Sequence, residues 1–112
     1  MKLKRCMPEN LAENRMFAYG VLNSRNGKSL KDVDSREELH TTGFLLGSDD
    51  RTEKSLLAII LETGDILYTV SDTFITMFLD CVDTLETCDL RFRVGHELNR
   101  NKREYITFIL SY

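Results

Sequence analysis

Residues 55–85 decide the fold of this chain, and they read SLLAIILETGDILYTVSDTFITMFLDCVDTL. Ser55 to Leu61 is an apolar run of the length of a strand. Glu62-Thr63-Gly64-Asp65 has the composition of a tight turn, and Ile66 to Val70 predicts the strand that returns from it. After Val70 the apolar residues recur with the period of a helix. The stretch therefore predicts a strand, a turn, a second strand and then a helix.

The predicted helix runs from Asp72 to Leu85. Ser71 or Asp72 can cap it, because a side-chain oxygen there accepts a hydrogen bond from an otherwise unpaired first-turn N–H. The apolar stripe consists of Phe74, Phe78, Val82 and Leu85, with Ile75 and Leu79 beside it. The acidic residues Asp80, Asp83 and Glu86 fall mostly outside this stripe, so we expect the helix to pack its apolar face on a sheet.

The C-terminal segment has the alternation of a half-buried antiparallel hairpin. Leu90, Phe92 and Val94 alternate with Arg91 and Arg93. After a turn at residues 99–102, Ile106, Phe108 and Leu110 alternate with Tyr105, Thr107 and Ile109. We expect Phe92 and Phe108 to belong to the core, which leaves Arg91, Arg93, Tyr105 and Thr107 on the outward face.

The N-terminal half gives weaker signals. Residues 1–13 are largely polar without periodicity and are predicted to form a flexible arm, with one domain over residues 14–112. Arg15 to Leu22 is interpreted as a strand, followed by an Asn-Gly turn over residues 23–27. Lys28 to Val33 is predicted to be extended, and Glu37 to Leu46 to form a further strand before a polar loop.

The order of strands, one helix and a closing hairpin predicts a mostly-β fold with one helix. The simplest arrangement is an OB-like barrel of five to six antiparallel strands, with the helix closing one end. The alternative is an open α+β sheet with the helix on one face.

Composition excludes several classes of protein. Hydrophobic residues make up 42% of the 112 residues, which is ordinary for a globular domain. A membrane span requires about 20 consecutive apolar residues, and no run in the sequence approaches this length. The basic N-terminus is not followed by the long apolar stretch of a secretory signal. These features favour a cytoplasmic protein without membrane partners. Cys6, Cys81 and Cys88 lack metal-site spacing and are expected to be free thiols.

No pattern in the sequence predicts catalysis. His40, expected at the surface, and His96 have no spacing that suggests a triad or a metal site. The acidic pair Asp49-Asp50 lacks the loop spacing of a calcium site, and no lysine follows the glycines of residues 43–47 as in a phosphate loop. We therefore expect a protein that is not an enzyme and needs no metal or cofactor.

The charge of the chain is polarised, although the formal net charge is only −3. Base concentrates in the C-terminal hairpin and in the loop from Arg25 to Lys31. Cations neutralise phosphates and an exposed aromatic ring stacks on any base, so these segments suit a single-stranded nucleic acid. Phe17 and Tyr19 precede the basic loop, and one of them is expected to face the same groove. The alternative is an ordinary solvated hairpin, in which Glu97 and Glu104 pair with the cations.

Three stretches between residues 22 and 110 follow one another in a suggestive order. They are LNSRNGKSLK at residues 22–31, GDILY at residues 64–68 with Ser71 and a helix behind it, and FRV at residues 92–94 followed by residues 102–110. This layout resembles the single-stranded-DNA-binding proteins of small Bacillus phages that replicate by protein priming, and related phage proteins. The resemblance implies an OB-like barrel that coats single strands, with Lys31, Tyr68, Lys102 and Tyr105 as matched contacts. Leu30 stands where that family favours an aromatic residue.

These observations lead to one main hypothesis, that the protein binds single-stranded DNA without catalysis and with tolerance of sequence. Such binding would protect single strands during phage DNA replication in the host cytoplasm. The expected contacts are Tyr19, Arg25, Lys28, Lys31, Tyr68, Arg91, Arg93, Lys102 and Tyr105. Host or phage replication proteins are further expected partners. The alternative is a protein-interaction module, an inhibitor or modulator of a host protein that uses the acidic helix face. A third hypothesis, a small hydrolase, has no nucleophile–base pair to support it.

Overall fold

Within residues 1–24 and 27–112, which the computed structural model describes, seven strands and two α-helices follow one another. They are β1 (Lys2–Met7), α1 (Arg15–Ser24), β2 (Lys28–Ser29), β3 (Leu39–Ser48), β4 (Ser55–Leu61), β5 (Ile66–Thr69), α2 (Asp72–Leu85), β6 (Leu90–Leu98) and β7 (Glu104–Leu110). Short 3-10 helices lie at Glu9–Glu13 and Leu30–Asp32. The predictions for β4, β5, α2 and the hairpin β6–β7 are confirmed.

The strands form one sheet in the order β2-β5-β4-β3-β6-β7, with β1 paired to β3. The pairs are antiparallel except for β2 and β5. Strand β3 pairs with β6 over Leu39–Thr41 and with β1 over Phe44–Ser48, on either side of an irregularity in its pairing with β4 near Gly43. The sheet curls into a half-barrel. The fold is therefore mostly β and OB-like, as predicted, although it has a second helix and one parallel pair.

Helix α2 packs on one face of the sheet, which we call the inner face. Ser71 Oγ accepts a hydrogen bond from Phe74 N at 3.3 Å, which confirms the predicted cap. The Phe78 ring is fully buried, with its centroid 5.3 Å from that of Phe44 and 5.6 Å from that of Phe108. Phe92 and Phe108 lie in this core as expected. The end of the predicted stripe, Leu85, is exposed.

Helix α1 packs on the opposite, outer face of the sheet and forms a second core. Ala18, Val21 and Leu22 contact a cluster that contains Leu45 of β3 and Leu56 of β4. Strands β3 and β4 thus bury both of their faces, and a strand covered on both faces carries a continuous apolar run rather than an alternating one. This explains the uninterrupted apolar sequence of β4.

The prediction of a strand over residues 15–22 is wrong, because this segment is helix α1. Its buried residues Ala18, Val21 and Leu22 have the i, i+3, i+4 spacing of one helix face. Asn14 Oδ1 accepts a hydrogen bond from Phe17 N at 3.0 Å, which caps the first turn. The imperfect alternation of the sequence concealed this period.

The predicted flexible arm also differs from the structure. Lys2–Met7 is strand β1, which pairs with β3 from Lys2 opposite Ser48 to Met7 opposite Phe44. Arg5 forms an ion pair with Asp83 of α2. This strand is stabilised by a partner some forty residues away in the chain, so its own sequence carries no strong signal.

Two smaller differences concern the middle of the chain. Only Lys28–Ser29 of the predicted extended piece is a strand, and a 3-10 helix follows it. The predicted turn at residues 23–27 includes Arg25 and Asn26, which lie outside the described residues. Among the helices of the described chain, none combines the length and hydrophobicity of a membrane span.

Candidate nucleic-acid interface

The outer face of the β6–β7 hairpin carries the predicted outward residues. Arg93 lies opposite Ile109, Gly95 opposite Thr107, and Glu97 opposite Tyr105. Since Phe92, Val94, Ile106 and Phe108 are buried on the inner face, strand alternation directs Arg91, Arg93, Tyr105 and Thr107 to the outer face. The predicted orientation of the hairpin is therefore confirmed.

The middle of this hairpin face lies at Gly95, where neighbouring side chains fill the space over the glycine. A Cβ atom at Gly95 would lie 2.2 Å from Thr107 Oγ1 and 3.0 Å from Ile109 Cδ1, so these two side chains occupy the space above the glycine. Helix α1 covers the outer face at β3 and β4. The hairpin face therefore presents Arg93 and Tyr105 on either side of Thr107 and Ile109, which pack over Gly95.

Arg91 and Arg93 supply charge that is available to a ligand. Neither forms an ion pair with any residue in the described part of the chain. Both line a shallow depression of about 640 Å³ near the C-terminus, together with Arg36 and Glu38. Arg36 is bound to Asp34 at 3.0 Å, and its hydrogen bonds lower the pKa of Asp34 to about 2. Among the described residues that line this depression, the cations without an ion pair are thus the two arginines of β6.

A groove of about 570 Å³ lies where the two ends of the curled sheet approach each other. We call it the seam groove, and its lining residues are Ser29, Lys31, Asp32, Thr69, Val70, Ser71, Glu104, Tyr105 and Ile106. One wall comes from the β2–β5 side of the sheet and the other from the start of β7. The seam groove brings together Lys31 and Tyr105, two residues that the sequence predicted as contacts from segments far apart in the chain.

The chemistry of the seam groove suits a base and its phosphate. Tyr105 is 37% exposed, which leaves part of its ring open to stacking. Lys31 is exposed and forms no ion pair with a described residue, so its ammonium group can reach a phosphate. Val70, at 59% exposure, adds an apolar surface on the opposite wall. The acidic Glu104 is bound to His96 rather than to a cation of the groove.

Tyr68, a predicted stacking residue, has a packing role in this structure. It is 8% exposed, and its hydroxyl donates a hydrogen bond to Val21 O at 2.7 Å, which ties β5 to α1. Gly27 passes close to the ring, because a Cβ atom there would lie 2.5 Å from Tyr68 Cε2 and 2.1 Å from Ile66 O. The glycine of the basic loop is thus required by close packing, and Tyr68 offers no open ring for a base.

The remaining predicted contacts are scattered. Tyr19 is 70% exposed on helix α1 rather than on a strand, and it does not line the seam groove. Lys28 lines a different cavity, with Tyr68 and Asp65. Lys102 is exposed in the hairpin turn, and Arg25 lies outside the described residues. The structure therefore groups Lys31 with Tyr105, and Arg91 with Arg93, at two ends of one hairpin face.

Sequence reasoning missed the surroundings of the two histidines. His96 Nδ1 lies 3.0 Å from Glu104 Oε1, and Nε2 lies 2.8 Å from Val33 O. A carboxylate and a carbonyl only accept hydrogen bonds, so both ring nitrogens must carry a proton to satisfy them. The Val33 carbonyl, and to a smaller extent Glu104, raises the pKa of His96 above its ordinary 6.5.

His40 has the same kind of environment, and its side chain is only 20% exposed rather than open at the surface. Its Nδ1 lies 2.8 Å from Glu62 Oε2, and its Nε2 bonds to Asp89. Asp89, followed by Glu62, raises the pKa of this imidazole. The partners of both histidines come from other elements, so the sequence near each ring could not indicate them.

Within residues 1–24 and 27–112, no group of three or more His, Cys, Asp or Glu side chains is arranged to hold a metal ion. The features with clear chemistry are instead the cations and the tyrosine of the hairpin and seam groove.

Comparison of the chain with protein-family models, with curated proteins and with solved structures found no match. The resemblance to the phage single-stranded-DNA-binding proteins therefore stays a prediction from the order of the sequence motifs.

Proposed function

We propose that this protein binds single-stranded DNA without catalysis and with little sequence preference. The observation that carries the proposal is the convergence of Lys31 and Tyr105 in the seam groove, from which the hairpin face continues to Arg93 and Arg91. Two arginines that form no ion pair with a described residue lie at one end, and a lysine with an open tyrosine lies at the other. Together they form a track suited to a polyanion with exposed bases.

The track has the length of a short single-stranded segment. Strand β7 and the residue after it, Ser111, advance by about 20 Å from Tyr105, at about 3.4 Å per residue. The Ser111 N–H donates a hydrogen bond to Arg91 O at that end. OB-type surfaces cover roughly 4–16 nucleotides, and this length corresponds to the lower end of that range. In this arrangement the cations contact phosphates and Tyr105 stacks on one base.

The same arrangement favours single strands over duplex. A base inside a duplex is already stacked and paired, so its face is closed to the Tyr105 ring. Stacking uses the π-face that every base has and does not read hydrogen-bonding edges, which makes the binding tolerant of sequence. The resemblance of residues 22–110 to phage proteins supports a role in protecting single strands during phage DNA replication in the host cytoplasm, beside host or phage replication proteins.

A fluorescence anisotropy titration with labelled oligothymidylate tests the proposal. We expect binding that weakens when salt rises from about 50 mM to about 200 mM, because cations released from the phosphates drive association. An unlabelled single strand should compete better than a duplex of the same sequence. Absence of binding at the lower salt concentration, with an oligonucleotide of about 16 nucleotides or more, would overturn the proposal.

A second candidate function rests on helix α2. Its solvent side carries Asp72, Asp80 and Met77, and the following residue Glu86 is also exposed. These carboxylates form no ion pair with a residue that the structure describes, so they suit a basic protein partner. A host protein that stays bound to the tagged chain after nuclease treatment, and is lost with Asp80→Asn, would favour this function.

A further inference from the structure

His96 connects the two walls of the seam groove. Its Nε2 lies 2.8 Å from Val33 O, and Val33 follows Lys31 by two residues on one wall. Its Nδ1 lies 3.0 Å from Glu104 Oε1, and Glu104 precedes Tyr105 on the other wall. The imidazole is thus the bridge between the segment that positions the lysine and the segment that positions the tyrosine.

This bridge is complete only when the imidazole carries two protons. The Val33 carbonyl and the Glu104 carboxylate both accept, so each needs an N–H from the ring. Neutral imidazole has only one N–H. When the doubly protonated ring loses a proton, one of the two acceptors is therefore left without a donor. It also leaves the negative charge of Glu104 uncompensated at the edge of the groove.

We propose that His96 is a positioning residue whose doubly protonated form holds the groove walls together and neutralises Glu104, so that binding of single-stranded DNA is coupled to one proton on this ring. The inference rests on the proposed function and names a regulation of the same site. Phosphate is repelled by an uncompensated Glu104, so deprotonation of His96 weakens binding.

Among the described residues, the charged groups that act on the His96 ring are Glu104 and Asp34. Glu104 approaches from β7, and Asp34 approaches from the segment after the 3-10 helix, where it is paired with Arg36. The exposed Lys31 and Asp32 of that 3-10 helix make no hydrogen bond to the ring. Because the pKa of His96 is raised above 6.5, the bridge is complete below about pH 6.5 and is lost as the pH rises through the raised value.

His40 must be removed from the measurement, because its strand neighbour is Arg91, at the other end of the proposed track. The chain has 2 histidines, so His96 is the only one left in a His40→Gln background. In that background we expect the affinity for labelled oligothymidylate, at constant ionic strength, to fall about three- to tenfold between about pH 6 and about pH 8. One unit charge at about 7 Å in water accounts for about threefold, and loosening of the walls adds to it.

Glu104→Gln and Glu97→Gln form a matched pair. Both remove one exposed carboxylate beside Tyr105, since Glu97 is its cross-strand neighbour, but only Glu104 bonds to His96. Glu104→Gln should bind more tightly at pH 8 and flatten the pH profile. Glu97→Gln should shift the affinity equally at both pH values, so the change of affinity with pH should stay the same. For His96→Gln, the affinity should not depend on pH and should equal the weaker affinity that the His40→Gln background shows at about pH 8.

The outcomes separate the inference from the proposed function. Failure to bind at any pH overturns the function, whereas tight binding with a flat profile in the His40→Gln background overturns only the coupling through His96. Equal pH profiles for Glu104→Gln and Glu97→Gln also overturn it. If circular dichroism shows that His40→Gln is unfolded, the matched glutamate pair is compared in the unsubstituted chain, where the same difference in profile decides.

Discussion

Replacement of Tyr105 by alanine should weaken binding of single-stranded DNA by a predictable amount. The ring is 37% exposed in the seam groove, so it can stack on one base through its open part. One base–aromatic stack contributes about 1–3 kcal/mol, which corresponds to a loss of about 5- to 150-fold in affinity. The salt dependence should not change, because the substitution removes no charge.

Tyr19→Ala is the matched control for this prediction. Tyr19 is 70% exposed on α1 and does not line the seam groove, so its loss should leave the affinity unchanged. Tyr105→Phe should bind like the natural chain, since it keeps the stacking ring. Anisotropy titrations of all three variants measure these effects. An affinity of Tyr105→Ala within about twofold of the natural chain, or an equal loss for Tyr19→Ala, would refute the assignment of Tyr105 as the stacking residue.

Further predictions concern charge, packing and pH. Lys31→Ala should weaken binding and reduce the slope of log K against log salt by about 0.7, the share of one phosphate contact on a single strand. Phe78→Ala should lower the free energy of unfolding by about 3–5 kcal/mol in urea titrations, because a fully buried ring leaves a cavity. Ser71→Ala removes the acceptor of the Phe74 N–H and should cost about 1 kcal/mol, or about 4 °C in thermal melts. The pKa of His40 is raised, so its ion pairs stabilise the fold below about pH 6.5 and are lost at higher pH. His40→Gln should therefore flatten the stability profile measured in urea between about pH 6 and about pH 8.

The elements predicted correctly are those whose pattern is local. Helix α2 has a long apolar stripe and a serine cap, and the hairpin β6–β7 alternates cleanly because only its inner face is covered. Strand β4 could be placed by its length and flanking turn, although its apolar run did not show that both faces are buried. Helix α1 covers the second face of β4, which explains the uninterrupted apolar sequence of this strand.

The sequence interpretation differs from the structure on the outer face of the sheet. The partial alternation of residues 15–22 predicts a strand, so the sequence predicts no helix on the outer face of the sheet. Tyr68, on the same face, is predicted as a contact only through the resemblance to the phage proteins. In the structure its hydroxyl donates to Val21 O and the ring is buried.

The candidate site could be predicted only in part, because some of its residues meet only through the packing of the sheet. Arg91, Arg93 and Tyr105 lie on one strand pair, and alternation alone predicts their shared face. Lys31 joins Tyr105 only because the sheet curls, and His96 reaches Val33 across 63 positions of the chain. Contacts of this kind depend on tertiary packing, which no local period encodes.

The most direct test of the central claim is a map of the DNA-binding surface by NMR. ¹⁵N-labelled protein is titrated with unlabelled oligothymidylate, and backbone amide shifts are followed residue by residue. The proposed function predicts shifts that concentrate at Lys31, Arg91, Arg93 and Tyr105, with little change on the exposed side of α2. Shifts confined to α2, or no shifts at low salt, would contradict it.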